Sequence, residues 1–184
     1  MEFTLDCLIS VTSIAIIGFY SWSLKGHFSS ARMAWGARGI SAAVIGTTVL
    51  FLYLMWTQPQ VIWAQVLGLL IQIAAATLFW WAIWASRKAR LRFAFDPALP
   101  HSIVSEGPYR YFRHPFYTSY LLFWSGWALA SWSAWSVLPV LFFATAYVVA
   151  ALNEEKKFDA SSLAGAYREY KSRTGFFTPR LRRG

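Results

Sequence analysis

The side chains able to bind or activate a small molecule gather in two short segments, residues 106–117 and 153–179. The first reads Gly107-Pro108-Tyr109-Arg110-Tyr111-Phe112-Arg113-His114-Pro115-Phe116-Tyr117. Pro115 stands where a helix would begin, so His114-Pro115 also reads simply as a helix start at a membrane surface. The second segment opens on Asn153-Glu154-Glu155 at the end of an apolar run. A helix C-terminus prefers cations. Lys156 and Lys157 balance the charge there without explaining why the acids come first. Carboxylates beside an imidazole and a guanidinium can hold a cationic or hydroxylated ligand, or move a proton. The chain has no G-x-G-x-x-G, no Walker loop, no G-x-S-x-G elbow and no H-E-x-x-H. His27, His101 and His114 lack metal-ligand spacing and Cys7 is the single cysteine, so no metal centre is expected.

The elements that must position these groups are membrane spans. The 184 residues are 57% apolar, 19% aromatic and 14% charged, against about 25% charged residues in a typical soluble domain. Such a length allows one domain, and the aromatic content excludes disorder, collagen and coiled coil. Residues 5–24, 39–57, 61–85, 116–132 and 135–152 form five apolar runs. Each is close to the roughly 20 residues that cross a bilayer as helix, and too long for barrel strands of about 10. Glu2 and Asp6, rather than basic residues, lead the first run, which therefore reads as a retained span and not a signal peptide.

The charges set the orientation. Lys25, Arg32 and Arg38 lie between runs one and two; Arg87, Lys88, Arg90, Arg92, Arg110 and Arg113 lie between runs three and four. Lys156, Lys157, Arg168, Lys171, Arg173, Arg180, Arg182 and Arg183 follow run five, which accounts for all 17 basic residues. Residues 58–60 and 133–134 carry none, so the positive-inside rule puts the N-terminus outside and the C-terminus in the cytoplasm. The net charge of +9 is then a topology signal that needs no nucleic acid, with anionic headgroups as its ordinary contact.

The expected fold is all-α: a polytopic single membrane domain of five transmembrane helices with a C-terminal amphipathic helix. Residues 1–85 read as a three-helix lipophilic scaffold, and residues 86–184 as a hairpin and C-terminal segment that carry the gathered polar groups. In the scaffold, Gln65 and Gln72 share one helical face, suited to inter-helix hydrogen bonds or to lining a substrate path. Pro139 is a candidate kink inside run five. Runs four and five are joined by the short link 133–134, and each leg is about 20 residues, roughly 30 Å of helix. An antiparallel hairpin therefore returns Glu154 and Glu155 to the depth of Arg113 and His114, beside an apolar wall, the usual make-up of a ligand pocket. Beyond it, Leu163, Tyr167 and Tyr170 recur at helical spacing, predicting an amphipathic helix against the membrane or the bundle. The tail from Arg173 to Pro179 then returns Phe176 and Phe177 toward the bilayer, with Arg173 placed either to cover the pocket or to meet phosphate headgroups.

Residues 106–111 running into Arg113-His114-Pro115-Phe116-Tyr117 resemble the R-H-P-x-Y motif of the isoprenylcysteine carboxyl methyltransferase superfamily, which includes phospholipid N-methyltransferases. Glu154-Glu155 is similar to its acidic pair. Tyr167-x-x-Tyr170, Arg173 and Phe176-Phe177-Thr178-Pro179 are similar to its closing tail. The resemblance covers residues 101–181. The family commonly has a glycine three residues before the first of these tyrosines, whereas here Gly165 stands two before Tyr167.

The resemblance implies a membrane enzyme that holds S-adenosylmethionine (SAM) between its last two spans and C-terminal segment, at the cytoplasmic face. It implies a cofactor site of Tyr109, Arg113, His114, Pro115, Tyr117, Glu154, Glu155 and Tyr167. Arg173, Glu155 and Glu169 become the catalytic candidates. A carboxylate acceptor would be oriented by Arg173, whereas an amine acceptor needs a base, Glu155 or Glu169. The implied acceptor is lipophilic, a prenylated cysteine or an amine-headed phospholipid, reached among membrane lipids. Two alternatives stand beside this reading. Sterol reductases that use NADPH carry a similar R-H-P-x-Y segment, although Glu154-Glu155 is an awkward neighbour for a 2′-phosphate. A non-catalytic lipid-binding protein would keep the fold without the chemistry.

Overall fold

The computed structural model describes residues 2–26, 35–87, 100 and 102–180. Of the residues singled out above, His27, His101, Arg32, Lys88, Arg90, Arg92, Arg182 and Arg183 lie outside these, as do the side chains of Glu2, Lys25 and Arg38. Among the described residues the secondary structure is helical: α1 (Glu2–Gly26), α2 (Trp35–Thr57), α3 (Ile62–Ser86), α4 (Pro115–Ala130), α5 (Val137–Asp159) and α6 (Ala164–Arg173). Single 3₁₀ turns at Gly107–Arg110 and Ala134–Ser136 precede α4 and α5.

Helices α3 and α4 make the principal contact. In lipid no hydrophobic effect drives helices together, so close van der Waals packing through small residues has to do so. Helix α3 buries Ala64, Gly68, Ala75, Ala82 and Ser86 at spacings of four and seven residues, one helical face, and α4 answers with Ser119, Gly126 and Ala130. The two backbones touch at Gly68 and Gly126. A Cβ added to Gly126 would stand 2.7 Å from the Gly68 carbonyl oxygen, and one added to Gly68 would collide with the Gly126 carbonyl. One turn-pair further along, the Ser119 hydroxyl donates to the Ala75 carbonyl at 2.9 Å.

The other helices surround α4 with aromatic rings. Tyr20 of α1 packs on Phe79 at 4.4 Å and bonds Ser119 through its hydroxyl at 2.9 Å. Phe51 of α2 meets Trp127 edge-on, and Phe143 of α5 stacks on Trp124 at 4.5 Å. Gln65 and Gln72 both turn toward α1. The Gln65 amide donates to Asp6, and Ser13 donates to the Gln72 carbonyl at 2.8 Å. Of the two readings of this glutamine face, inter-helix hydrogen bonding is the one observed.

Among the described residues, four helices are long and apolar enough to cross a membrane: Phe3–Ser23, Gly39–Thr57, Ile62–Ser86 and Ala134–Asp159. The expected run at 116–132 is the 16-residue α4, about 24 Å long. Pro115 begins it and the turn at Trp132, which has φ 40°, ends it. That left-handed backbone is unfavourable for a bulky residue, and the Trp132 ring is held edge-on against Trp63 at 4.7 Å. Helix α5 differs from expectation at both ends. Pro139 lies in its first turn, where the missing N–H has no intrahelical carbonyl to lose, so it kinks nothing. The helix also continues to Asp159, so Glu154 and Glu155 precede its last turn, which carries Lys156 and Lys157 as the dipole favours.

Gly126→Val should destabilise the bundle by about 3 kcal/mol, the upper range for overpacking, because the atom it meets is backbone. Gly46→Val, whose Cβ meets nothing, should stay within about 0.5 kcal/mol of the native protein. Unfolding in mixed micelles, followed by circular dichroism, measures both.

Candidate functional site

Local backbone chemistry aims the first segment. Gly107 has φ +57° and lies against α3, where a Cβ would come 2.7 Å from that of Ala85 and 3.1 Å from the Trp81 indole nitrogen. This turn buries Pro108 and Tyr109 and delivers the chain to His114, which precedes Pro115 at the first position of α4. Antiparallel return of α5 then brings Glu155 to within 3.3 Å of the His114 Nε2 atom and Glu154 to within 3.8 Å of Nδ1. The expected convergence of residues 113–114 with residues 154–155 is therefore present.

Glu155 is the hub of the cluster. Its Oε1 accepts from Arg113 Nε at 2.7 Å and its Oε2 from Lys171 Nζ at 3.0 Å, with side-chain exposures of 9% for Glu155 and 13% for Arg113. Arg113 has a second task. Its Nη1 donates to the Thr174 carbonyl at 2.6 Å and approaches that of Lys171 at 3.5 Å, satisfying carbonyls at the end of α6. The tail is pinned further by Arg113 N–H to the Gly175 carbonyl at 2.8 Å and Gly175 N–H to the Tyr111 carbonyl at 3.0 Å. Thr118 donates to the Phe177 carbonyl at 3.1 Å. Phe176 thereby lies edge-on to His114 at 5.0 Å and under the Arg113 guanidinium at 5.4 Å. Both tail phenylalanines pack on His114, and Phe177 also on Tyr117, rather than turning away from the protein.

Glu154 has different surroundings from its neighbour. Its side chain is 36% exposed, and the Tyr117 phenol is within hydrogen-bonding reach of it. Tyr117 stacks on Tyr147 of α5 at 5.6 Å. Tyr167 and Tyr170 are the buried face of α6. Tyr167 stacks on Phe158 at 4.1 Å, and Tyr170 donates to the Tyr109 carbonyl at 2.8 Å. Burial, and then the Glu155 and Glu154 carboxylates, push the Tyr167 phenol well above its ordinary range. Burial does the same for Tyr109 and Tyr170, so all three stay neutral.

Of the sequence candidates, Arg113, His114, Pro115, Tyr117, Glu154 and Glu155 come together, with Tyr167 and Tyr109 in the layer behind them. Arg173 and Glu169 pair with each other at 3.3 Å, one turn apart on α6, with side chains 56% and 71% exposed. Lys171, Thr118, Thr174 and Tyr147 belong to the cluster and carried no sequence signal. Lys171 follows Tyr167 by one turn and lies over its ring at 5.7 Å, yet nothing in the spacing from Glu155 announces a pair. The arrangement presents a carboxylate, an imidazole and aromatic faces on one side. On the other, its nearest cations are already engaged.

A family model described as phospholipid methyltransferase matches residues 63–163, just over half of the chain. The match takes in α3, α4 and α5 with His114, Glu154 and Glu155, and ends before α6. No curated protein matches the chain.

Arg113→Met should cost about 3 kcal/mol, the lower end for breaking a buried ion pair, and should free the tail. Limited trypsin digestion would then cut at Lys171 and Arg173 at least ten times faster than in the native protein. Arg113→Lys should not restore resistance, because a single ammonium cannot reach Glu155 and the Thr174 carbonyl together.

Proposed function

We propose, for a chain that belongs to the phospholipid methyltransferase family, that the rim of the α4–α5 hairpin is a SAM-dependent site that methylates the amine of a lipid headgroup. The observation that carries the choice of an amine is the commitment of Arg113 and Lys171 to Glu155 and of Arg173 to Glu169. A carboxylate acceptor would need one of these cations. An ammonium headgroup instead finds the Glu154 carboxylate and the rings of Tyr117, Phe176 and Phe177, groups that attract cations.

The donor set also suits the cofactor. SAM supplies a methyl group on a sulfonium, ready for in-line displacement. Glu154 fits its ammonium or ribose hydroxyls, the aromatic faces fit its sulfonium and adenine, and the tail across His114 keeps water from the reacting atoms. His114 and Tyr117 hold Glu154 in place from two sides. A protonated amine has no lone pair, so the acceptor must lose a proton before it can attack. Glu154 has His114 at 3.8 Å and the charge of Lys157 nearby, rather than the two close cations that hold Glu155, and is the base in this reading.

We take α4 as a fifth span and the rim as cytoplasmic. Support for the span comes from its two ends: Phe116 packs on Phe79 at 5.2 Å and Trp132 on Trp63 at 4.7 Å. Between Trp63 and Phe79, α3 rises about 24 Å, the length of α4 itself. Support for the side comes from the described basic residues, Arg87, Arg110, Arg113, Lys156, Lys157 and those from Arg168 onward, which share the end of the bundle that holds His114.

Detergent-purified protein should gain thermal stability with S-adenosylhomocysteine, by about 2.7 kcal/mol at 100 times its dissociation constant, and not with NADPH. Glu154→Gln should weaken that shift. With labelled SAM in bilayers, label should pass to an ethanolamine-headed phospholipid and not to a prenylcysteine carboxylate. A shift with NADPH alone, or label on the carboxylate acceptor alone, would overturn the reading.

A further inference from the structure

We propose that Arg87, Arg110 and Arg180, set around the rings of Trp81, Trp84 and Tyr111, bind the headgroup of an anionic phospholipid, and that the bound lipid holds the tail closed over His114. Such a lipid is a ligand besides the acceptor, and its binding does not depend on the methyl-transfer reading.

The site begins on the outer face of α3. Trp81 and Trp84 are exposed near the end of that span, where aromatic side chains mark the boundary between hydrocarbon and headgroups. Arg87 continues the stripe, its guanidinium 5.2 Å over the Trp84 ring. The Gly107 turn lies against Ala85 and Trp81, and the exposed Tyr111 ring follows at 6.3 Å from that of Trp81. Arg110 immediately precedes Tyr111 and is exposed as well.

The tail supplies the third guanidinium. A Cβ on Gly175 would collide with the Thr178 carbonyl, so the chain turns tightly there and comes back on itself. The Tyr111 carbonyl accordingly accepts twice, from Gly175 N–H at 3.0 Å and from Arg180 N–H at 3.2 Å. These two bonds clamp a loop whose Phe176 and Phe177 are the rings packed on His114. The second bond also sets Arg180 beside Arg110, with both side chains exposed.

Among the described residues, Arg87, Arg110 and Arg180 have no acidic partner. Glu106, at the start of the turn, is exposed and pairs with none of them. Three guanidiniums against one carboxylate, at the depth of lipid phosphates, attract an anionic headgroup, and the guanidinium fork suits phosphate oxygens. Docking the tail brings the charges of Arg110 and Arg180 together, and a shared phosphate turns their repulsion into attraction. A lipid that binds the two arginines better than one therefore shifts the tail toward its docked form.

Hydrogen exchange of residues 174–180, read by mass spectrometry, reports opening of the Tyr111 clamp. It is compared in bilayers of phosphatidylcholine alone and with three parts in ten phosphatidylglycerol. On passing to the anionic bilayer, native exchange should slow at least about fivefold more than that of Arg110→Gln or Arg180→Gln, the gain of one guanidinium at an anionic surface. Arg168→Gln, which removes an exposed charge of α6 away from the clamp, should slow as the native protein does. Surface acidity acts on every variant alike and drops out of the comparison. Each arginine variant reads the effect by itself, and Arg110→Gln leaves the tail sequence untouched. Inorganic phosphate added to neutral bilayers should leave native exchange unchanged. Equal slowing in the native protein and both arginine variants overturns the site, as does native exchange that is the same in both bilayers. Slowing by inorganic phosphate in neutral bilayers overturns the lipid as its ligand.

Discussion

A carboxylate held between a guanidinium and an ammonium at the edge of an apolar bundle depends on every partner staying in place. Water is too scarce there to replace a lost charge, so removing one partner strands the others. Glu155 is that group. Arg113, on the segment leading into α4, and Lys171, on α6, both close on it, and Arg113 also ties the α6 terminus and the tail to the same point. One buried charge thus fixes the relative positions of α4, α5, α6 and the chain beyond. His114 is then oriented by what surrounds it rather than by its own backbone.

The same hub explains why two adjacent glutamates have separate fates. Consecutive residues on a helix point about 100° apart, so Glu155 faces Arg113 and Lys171 while Glu154 faces Tyr117 and the part-exposed side of the rim. The first is satisfied and holds the architecture. The second, with a phenol within reach and an imidazole at 3.8 Å, stays part-exposed at the rim.

Beneath the rim, the bilayer as solvent sets the packing. Large apolar side chains such as Trp22, Val49, Trp84 and Leu141 are left on the outside, where lipid would solvate them, and the small residues are spent on the α3–α4 contact. This inverts the pattern of a water-soluble core and leaves helix association to backbone proximity at Gly68 and Gly126 and to hydrogen bonds such as Ser119 to Ala75. A rigid α3–α4 pair gives the site a fixed floor, with Tyr109 packed beside Phe79 and Phe116.

Composition, run length and charge distribution were enough for an all-helical membrane chain, because a bilayer demands long apolar helices and cytoplasmic basic loops whatever the packing. The convergence of His114 with Glu154 and Glu155 was also legible, since two legs of equal length joined by a short link can return to one depth only. The partners were not. That Arg113 and Lys171 share one carboxylate, that Arg173 turns outward to Glu169, and that Phe176 closes on His114 all depend on how α6 docks. Ten residues of helix with two buried tyrosines can dock in several registers by sequence alone. Helix ends were similarly hidden: α5 runs on to Asp159 because lysines in its last turn suit the dipole, although hydropathy falls away at Leu152. Local patterns determine what each element is. Which charges meet is decided by contacts between elements far apart in the chain, whose energies exist only once the bundle has closed.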